Sequence, residues 1–92
     1  MPYQIELKPA VVKQLSKLAP KFRVQIARKI DALAEEPRPT GVEKLAEIER
    51  LYRIRSGNYR IIYQINDDKL LVLIVRIGDR REIYRNLSAL IK

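Results

Sequence analysis

Apolar and polar residues alternate in Tyr3-Gln4-Ile5-Glu6-Leu7, the two-residue period of a strand with one buried face. Pro9 suits the first turn of a helix, and beyond it the period lengthens. Val11, Val12, Leu15, Leu18 and Ala19 recur at helical spacing, with Lys13 and Lys17 on a different face. Pro20 opens a second helix whose expected buried stripe is Phe22, Ile26, Ile30 and Leu33. Glu35-Glu36-Pro37-Arg38-Pro39-Thr40-Gly41 ends it, because proline cannot continue a helix and Gly41 frees the backbone. The helices read as a hairpin covering one face of a sheet. Residues 42–49 fit a helical turn or a loop, and the pattern does not choose between them.

From Leu51 onward the strand period returns. Tyr52-Arg53-Ile54-Arg55 and Tyr59-Arg60-Ile61-Ile62-Tyr63-Gln64-Ile65 flank Ser56-Gly57, a tight-turn signal, and Asn66-Asp67-Asp68-Lys69 is the next turn. Residues 70–77 are almost continuously apolar, as expected for a central strand buried on both faces. Gly78-Asp79-Arg80-Arg81 breaks that run, Glu82-Ile83-Tyr84 is expected to add a short strand, and Asn86 to cap a last helix carrying Leu87, Leu90 and Ile91. The expected architecture is α+β: a leading strand and helical hairpin on a twisted antiparallel sheet, then a short C-terminal helix. At 92 residues without repeats or linkers, the chain reads as one domain, residues 1–92.

Composition narrows the function classes. With 47% hydrophobic and 33% charged residues the chain falls in the globular range rather than the disordered one. No apolar run approaches the roughly 20 residues that span a bilayer, so no membrane role is expected. Met1-Pro2-Tyr3-Gln4 lacks the charged and then apolar opening of a signal peptide, and the expected location is cytoplasmic. The absence of cysteine excludes disulfides and a thiolate zinc site, and no cofactor or metal is implied. Nineteen Lys+Arg against eleven Asp+Glu give a net charge of +8, a field that attracts polyanions, of which nucleic acid is the usual one.

Strand alternation concentrates this charge. If Ser56-Gly57 is a two-residue hairpin loop, Arg55 faces Asn58, Ile54 faces Tyr59 and Arg53 faces Arg60. Arg53, Arg55 and Arg60 then share one face, while Tyr52, Ile54, Tyr59, Ile61, Tyr63 and Ile65 share the core face. A three-residue loop would mix the two sets, so the first register is preferred. Like charges opposite one another destabilise a sheet, so the cluster calls for an anion: a phosphate, a partner, or an acidic neighbour such as Glu47 or Glu49. Guanidinium matches phosphate by its planar fork. Tyr84, among Arg80, Arg81 and Arg85, offers a ring for a base and a hydroxyl for a phosphate or sugar; the alternative is a half-buried core tyrosine.

Tyr52-Arg53-Ile54-Arg55, Tyr59-Arg60-Ile61-Ile62-Tyr63 and Ile77-Gly78-Asp79-Arg80-Arg81-Glu82-Ile83-Tyr84-Arg85 together resemble the RelE/ParE toxin superfamily, RelE-like branch. The leading strand, helical hairpin and Pro-Arg-Pro loop are similar too, so the likeness covers nearly the whole chain. The resemblance implies a microbial-ribonuclease-like fold and a bacterial toxin of a type II toxin–antitoxin system. It implies a ribosome-dependent endoribonuclease that cuts mRNA in the A site by attack of a ribose 2′-hydroxyl on the adjacent phosphate, expelling the 5′-oxygen. By position it gives substrate binding and activation to Arg53 and Arg55, phosphate stabilisation to Arg60, general acid to Arg80 and RNA positioning to Tyr84. The implied partners are a cognate acidic antitoxin, the ribosomal A site with its mRNA and small-subunit rRNA, and operator DNA only through the antitoxin complex.

The chain departs from that pattern in its acid–base groups. It has no histidine, and arginine replaces the usual lysines at 53 and 55 although its pKa above about 12 makes it a poor base. Asp79 stands where many relatives carry a basic residue or histidine. Tyr84, Asp79 or a ribosomal group are the alternatives for moving the proton, and catalysis is expected to lean on electrostatic stabilisation and on distortion of the substrate. Lys13, Lys17, Lys21, Arg23, Arg28 and Lys29 form a second basic region, read either as an rRNA anchor or as solvated helix faces. Lys13, Lys17 and Arg81 are the RNA-binding candidates outside the cluster. The rival readings are a ParE-like gyrase poison on the same fold and a noncatalytic RNA-binding module.

Overall fold

The computed structural model of the chain describes residues 2–45 and 50–85. Strand β1, Gln4–Leu7, leads into helices α1, Pro9–Ser16, and α2, Pro20–Ala32. Both helices begin on a proline, where the missing N–H costs nothing because the first turn has no carbonyl to bond. Strands β2, Glu43–Lys44, β3, Leu51–Ser56, β4, Tyr59–Asn66, and β5, Leu71–Asp79, follow. They form a five-stranded sheet in the order β1-β5-β4-β3-β2.

The sheet is mixed rather than wholly antiparallel. β2 to β5 form an antiparallel series, but β1 lies parallel to β5, with Ile5 beside Val72 and Leu7 beside Ile74. The helices carry the chain from β1 to the far edge at β2, and the meander then returns to place β5 beside β1. Parallel pairing needs such a long crossover, which the helical hairpin supplies.

The helices cover one sheet face. Val11, Ile26, Ile30 and Leu33 pack on Tyr52, Ile54, Ile61, Tyr63, Ile65, Val72, Ile74 and Ile77. Each fully buried aliphatic side chain there contributes about 1.5–3 kcal/mol relative to exposure. Gln14 anchors α1, accepting a 2.8 Å hydrogen bond from the Ile77 backbone N–H. Tyr63 is fully buried and donates to the Pro37 carbonyl at 2.7 Å, which fastens the Pro-Arg-Pro loop to the core. Burial pushes the Tyr63 phenol well above its ordinary pKa, so it stays a donor.

Three members of the expected helical stripes lie outside the core, among them Ala19, which is exposed at the N-cap of α2. Val12 is 55% exposed, because Val11 and Leu15 already occupy the face that meets the sheet. Phe22 is 39% exposed; at the first turn of α2 its ring meets Tyr59, the first residue of β4, at a centroid distance of 5.5 Å, and the Lys21 ammonium lies over it at 5.9 Å. The expected strand at Glu82-Ile83-Tyr84 is instead a run of turns, with backbone bonds from Ile83 N–H to Asp79 and from Arg85 N–H to Glu82. Residues 42–49 contain the short β2, while Glu47, Glu49 and the helix expected from Asn86 lie outside the described residues.

Candidate functional site

The face of the sheet turned away from α1 and α2 carries the arginines. The β3–β4 hairpin turns at Gly57-Asn58 rather than at Ser56-Gly57, which pairs Ser56 with Tyr59, Arg55 with Arg60, Ile54 with Ile61 and Arg53 with Ile62. Gly57 has φ +61° and Asn58 is not in that region, the sign pattern of a turn with glycine first. This register is two residues away from the expected one. Because side chains alternate with period two, the shift leaves every residue on its expected face but changes the partners. Arg55, not Arg53, stands opposite Arg60.

That pairing sets like charges side by side, an arrangement a sheet tolerates only with compensation. Desolvation, followed by the charges of Arg53 and Arg55, holds the Arg60 guanidinium below the ordinary arginine value; Arg80 acts in the same direction and Tyr84 opposes it. Arg53, Arg55, Arg60, Arg80 and Tyr84 therefore share one electrostatic neighbourhood. Arg60 is steadied by its Nη1, which donates to the Gly57 and Tyr59 carbonyls at 3.0 Å each.

Arg53 is tied to the protein itself. One terminal nitrogen donates to the Tyr84 hydroxyl at 2.9 Å and the other to the Glu43 carboxylate at 2.6 Å, while its buried Nε has no hydrogen-bond partner. Glu43 reaches Arg53 because β2 places the two residues in register. It supplies an acidic neighbour to the cluster; Glu47 and Glu49, the acidic candidates named from the sequence, lie outside the described residues. Nothing in the alternation before β3 pointed to Glu43, since β2 is only two residues long.

Tyr84 is 41% exposed and belongs to the rim rather than the core. It comes from the turn after β5. There the Asp79 carboxylate accepts the backbone N–H of Arg81 at 2.8 Å and of Glu82 at 3.2 Å, and the Arg80 N–H bonds the Asn58 carbonyl of the hairpin at 2.9 Å. Asp79 thus shapes the loop that brings Arg80 beside the hairpin. Ile83 plugs this loop into a small cluster with Leu51, Ile62 and Val75 on the open face. Gly78 makes room for it: a Cβ there would stand 3.3 Å from Ile83 Cδ1.

Lys13 is exposed on α1 and Lys17 at its C-cap, in the helical layer rather than in the arginine cluster, and Arg81 is exposed in the turn. Among the described residues no group of three or more His, Cys, Asp and Glu side chains gathers to hold a metal ion, and no helix is long and apolar enough to cross a membrane.

Residues 5–84 match the family described as the ParE toxin of type II toxin-antitoxin system, parDE. The chain belongs to the RelE/ParE toxin superfamily. Within that superfamily it is similar to the mRNA interferase toxin RelE of Escherichia coli K12, 32% identical over 88 residues that cover 91% of this chain and 92% of that protein. The toxin RelG of Mycobacterium tuberculosis is 30% identical over 86 residues, 92% of this chain and 99% of that one. The archaeal RelE in the RelE–RelB complex from Pyrococcus horikoshii superposes with a TM-score of 0.79 at 31% identity, over 89% of this chain and 99% of that chain. The superfamily is one of type II toxin–antitoxin toxins, and relatives named mRNA interferases give it an endoribonuclease activity at family level.

Proposed function

We propose that this chain is a ribosome-dependent endoribonuclease that cuts mRNA in the A site and so arrests translation and growth. The observation that carries the proposal is Arg55 set directly opposite Arg60 on the sheet face turned away from the helices, with Arg53, Arg80 and Tyr84 in the same neighbourhood. Such a cluster is complementary to the extra negative charge of a pentacoordinate phosphorane, where preorganised donors act most strongly. In this reading the 2′-hydroxyl attacks the adjacent phosphate and gives up its proton to a base, for which Tyr84, Asp79 and a ribosomal group are the candidates. Arg55 and Arg60 hold the non-bridging oxygens, and Arg80 protonates the 5′-oxygen as the P–O5′ bond breaks, regaining its proton from water. Tyr84, held through its hydroxyl by Arg53, presents its ring to a base. Lys13, Lys17 and Arg81 add phosphate contacts outside the cluster.

The partner in the cell is an acidic antitoxin that neutralises the arginine face, as the solved RelE–RelB complex of the archaeal relative supports. Operator DNA is reached only through that complex, and the site of action is the cytoplasm. A second reading, a gyrase poison, is favoured by the ParE description of the matched family. Primer extension on a message after expression in cells separates the two. Cuts inside translated codons support the nuclease; DNA damage without such cuts supports the gyrase poison. Arg60→Ala and Arg80→Ala are each expected to lower cleavage by about 10²–10³-fold and relieve toxicity while the fold persists. Full toxicity in both variants would sink the site assignment.

A further inference from the structure

Arg76 interrupts the otherwise apolar run of residues 71–77 in β5, and the pairing of that strand explains where it goes. Tyr63 pairs with Ile74 and Ile62 pairs with Arg76, so Val75 is an extra residue between them. Without that bulge, Arg76 would follow Ile74 by two residues and share its face, the one buried under the helices. The extra residue reverses the phase and turns Arg76 onto the open face, a re-aiming that bulges commonly perform beside functional sites.

There the Arg76 Nη1 donates to the Ile83 carbonyl at 3.0 Å and to the Arg85 carbonyl. These carbonyls belong to the residues on either side of Tyr84. The segment has no strand pairing of its own, so these bonds help to fix its backbone, together with the Asp79 turn, the Arg80 and Arg85 N–H bonds and the Ile83 plug. From the other direction Arg53 holds the Tyr84 hydroxyl at 2.9 Å. Tyr84 is therefore gripped at both ends, by its peptide neighbours and by its phenol.

We infer that Arg76 is a positioning residue for Tyr84, acting through the backbone rather than on RNA, and that the Val75 bulge exists to deliver it. The inference rests on the nuclease reading for its catalytic consequence, but its structural half stands alone. Orientation of a group over the substrate is worth a large factor: a displacement of about 1 Å can cost 10²-fold in rate.

Two measurements test it. In the free protein, NMR relaxation and amide exchange of Arg76→Met are expected to show residues 80–85 loosened while β3, β4 and β5 keep their protection. A segment as ordered as in the wild type would overturn the inference, whatever the protein's activity. On ribosomes carrying a message in the A site, Arg76→Met is expected to slow single-turnover cleavage roughly 10- to 100-fold. Arg76→Lys, with one ammonium to offer the same carbonyls, should restore part of that loss. In a Tyr84→Ala background Arg76→Met should cost nothing more, because its effect runs through the missing ring. Independent, multiplying losses would mean that Arg76 acts elsewhere and would also overturn the inference. A wild-type chain that cuts no message defeats the nuclease reading instead, and leaves the mobility result to decide the grip.

Discussion

Arg53 commits both terminal nitrogens to Glu43 and Tyr84, whereas Arg55 and Arg60 face each other with no ion pair among the described residues. The division matters because guanidiniums stay charged in the resting protein near neutral pH, so repulsion among them is relieved by an anion. Glu43, whose side chain is 61% exposed, supplies part of that anion at the rim. Its carboxylate competes with phosphate for Arg53. Glu43→Gln is therefore expected to tighten binding of single-stranded RNA, because it frees Arg53 to neutralise a phosphate. The salt dependence should steepen with it, by about 0.7 in the log–log slope for each phosphate newly neutralised. Anisotropy titrations over a range of salt read both quantities. Weaker binding would instead mark Glu43 as a group that touches the RNA.

The elements divide the work. The hairpin of β3 and β4 presents the arginines, and the turn after β5 is folded back onto it by Ile83, Asp79 and Arg76. Ile83 is almost fully buried, yet among the described residues the buried members of its cluster are Leu51, Ile62 and Val75 besides itself. Truncation there leaves a cavity that a stiff sheet cannot collapse to fill. Ile83→Ala should cost about 2–4 kcal/mol in urea unfolding, within the usual range for a buried aliphatic truncated to alanine. It should also loosen Tyr84. A loss below about 1 kcal/mol would show that the loop is held by its hydrogen bonds alone.

At the scale of the molecule, Asp67 links three separated parts of the chain. It accepts from the Tyr3 hydroxyl at 2.6 Å, beside β1, and takes both terminal nitrogens of Arg38, from the loop after α2, at 3.2 and 2.9 Å. Arg38 in turn lies over the Tyr52 ring at 5.3 Å. The hydrogen bond from Arg38, then that from Tyr3, holds the Asp67 carboxyl below its ordinary 3.8. A carboxyl depressed in the folded state adds stability that is fully present above 3.8 and is lost as pH falls through the lowered folded value. Denaturation midpoints across the acid range should therefore fall less steeply for Asp67→Asn than for the wild type. Identical acid limbs would show that this exposed network adds nothing to stability.

Much of this was legible along the chain. Alternation and helical spacing determined the order of elements and the faces of the hairpin strands, because a period depends only on local backbone geometry. The same parity placed Arg53, Arg55 and Arg60 together even though the loop lay one residue further on than expected, since a two-residue shift preserves faces. What pairs with what was decided by tertiary structure. The parallel contact of β1 with β5, the choice of Glu43 to neutralise Arg53, and the opposition of Arg55 to Arg60 all depend on how distant segments meet. The Val75 bulge was hidden for the same reason. An apolar run carries no mark of phase, and only pairing against Tyr63 and Ile62 shows that one residue is extra and that Arg76 turns toward the site.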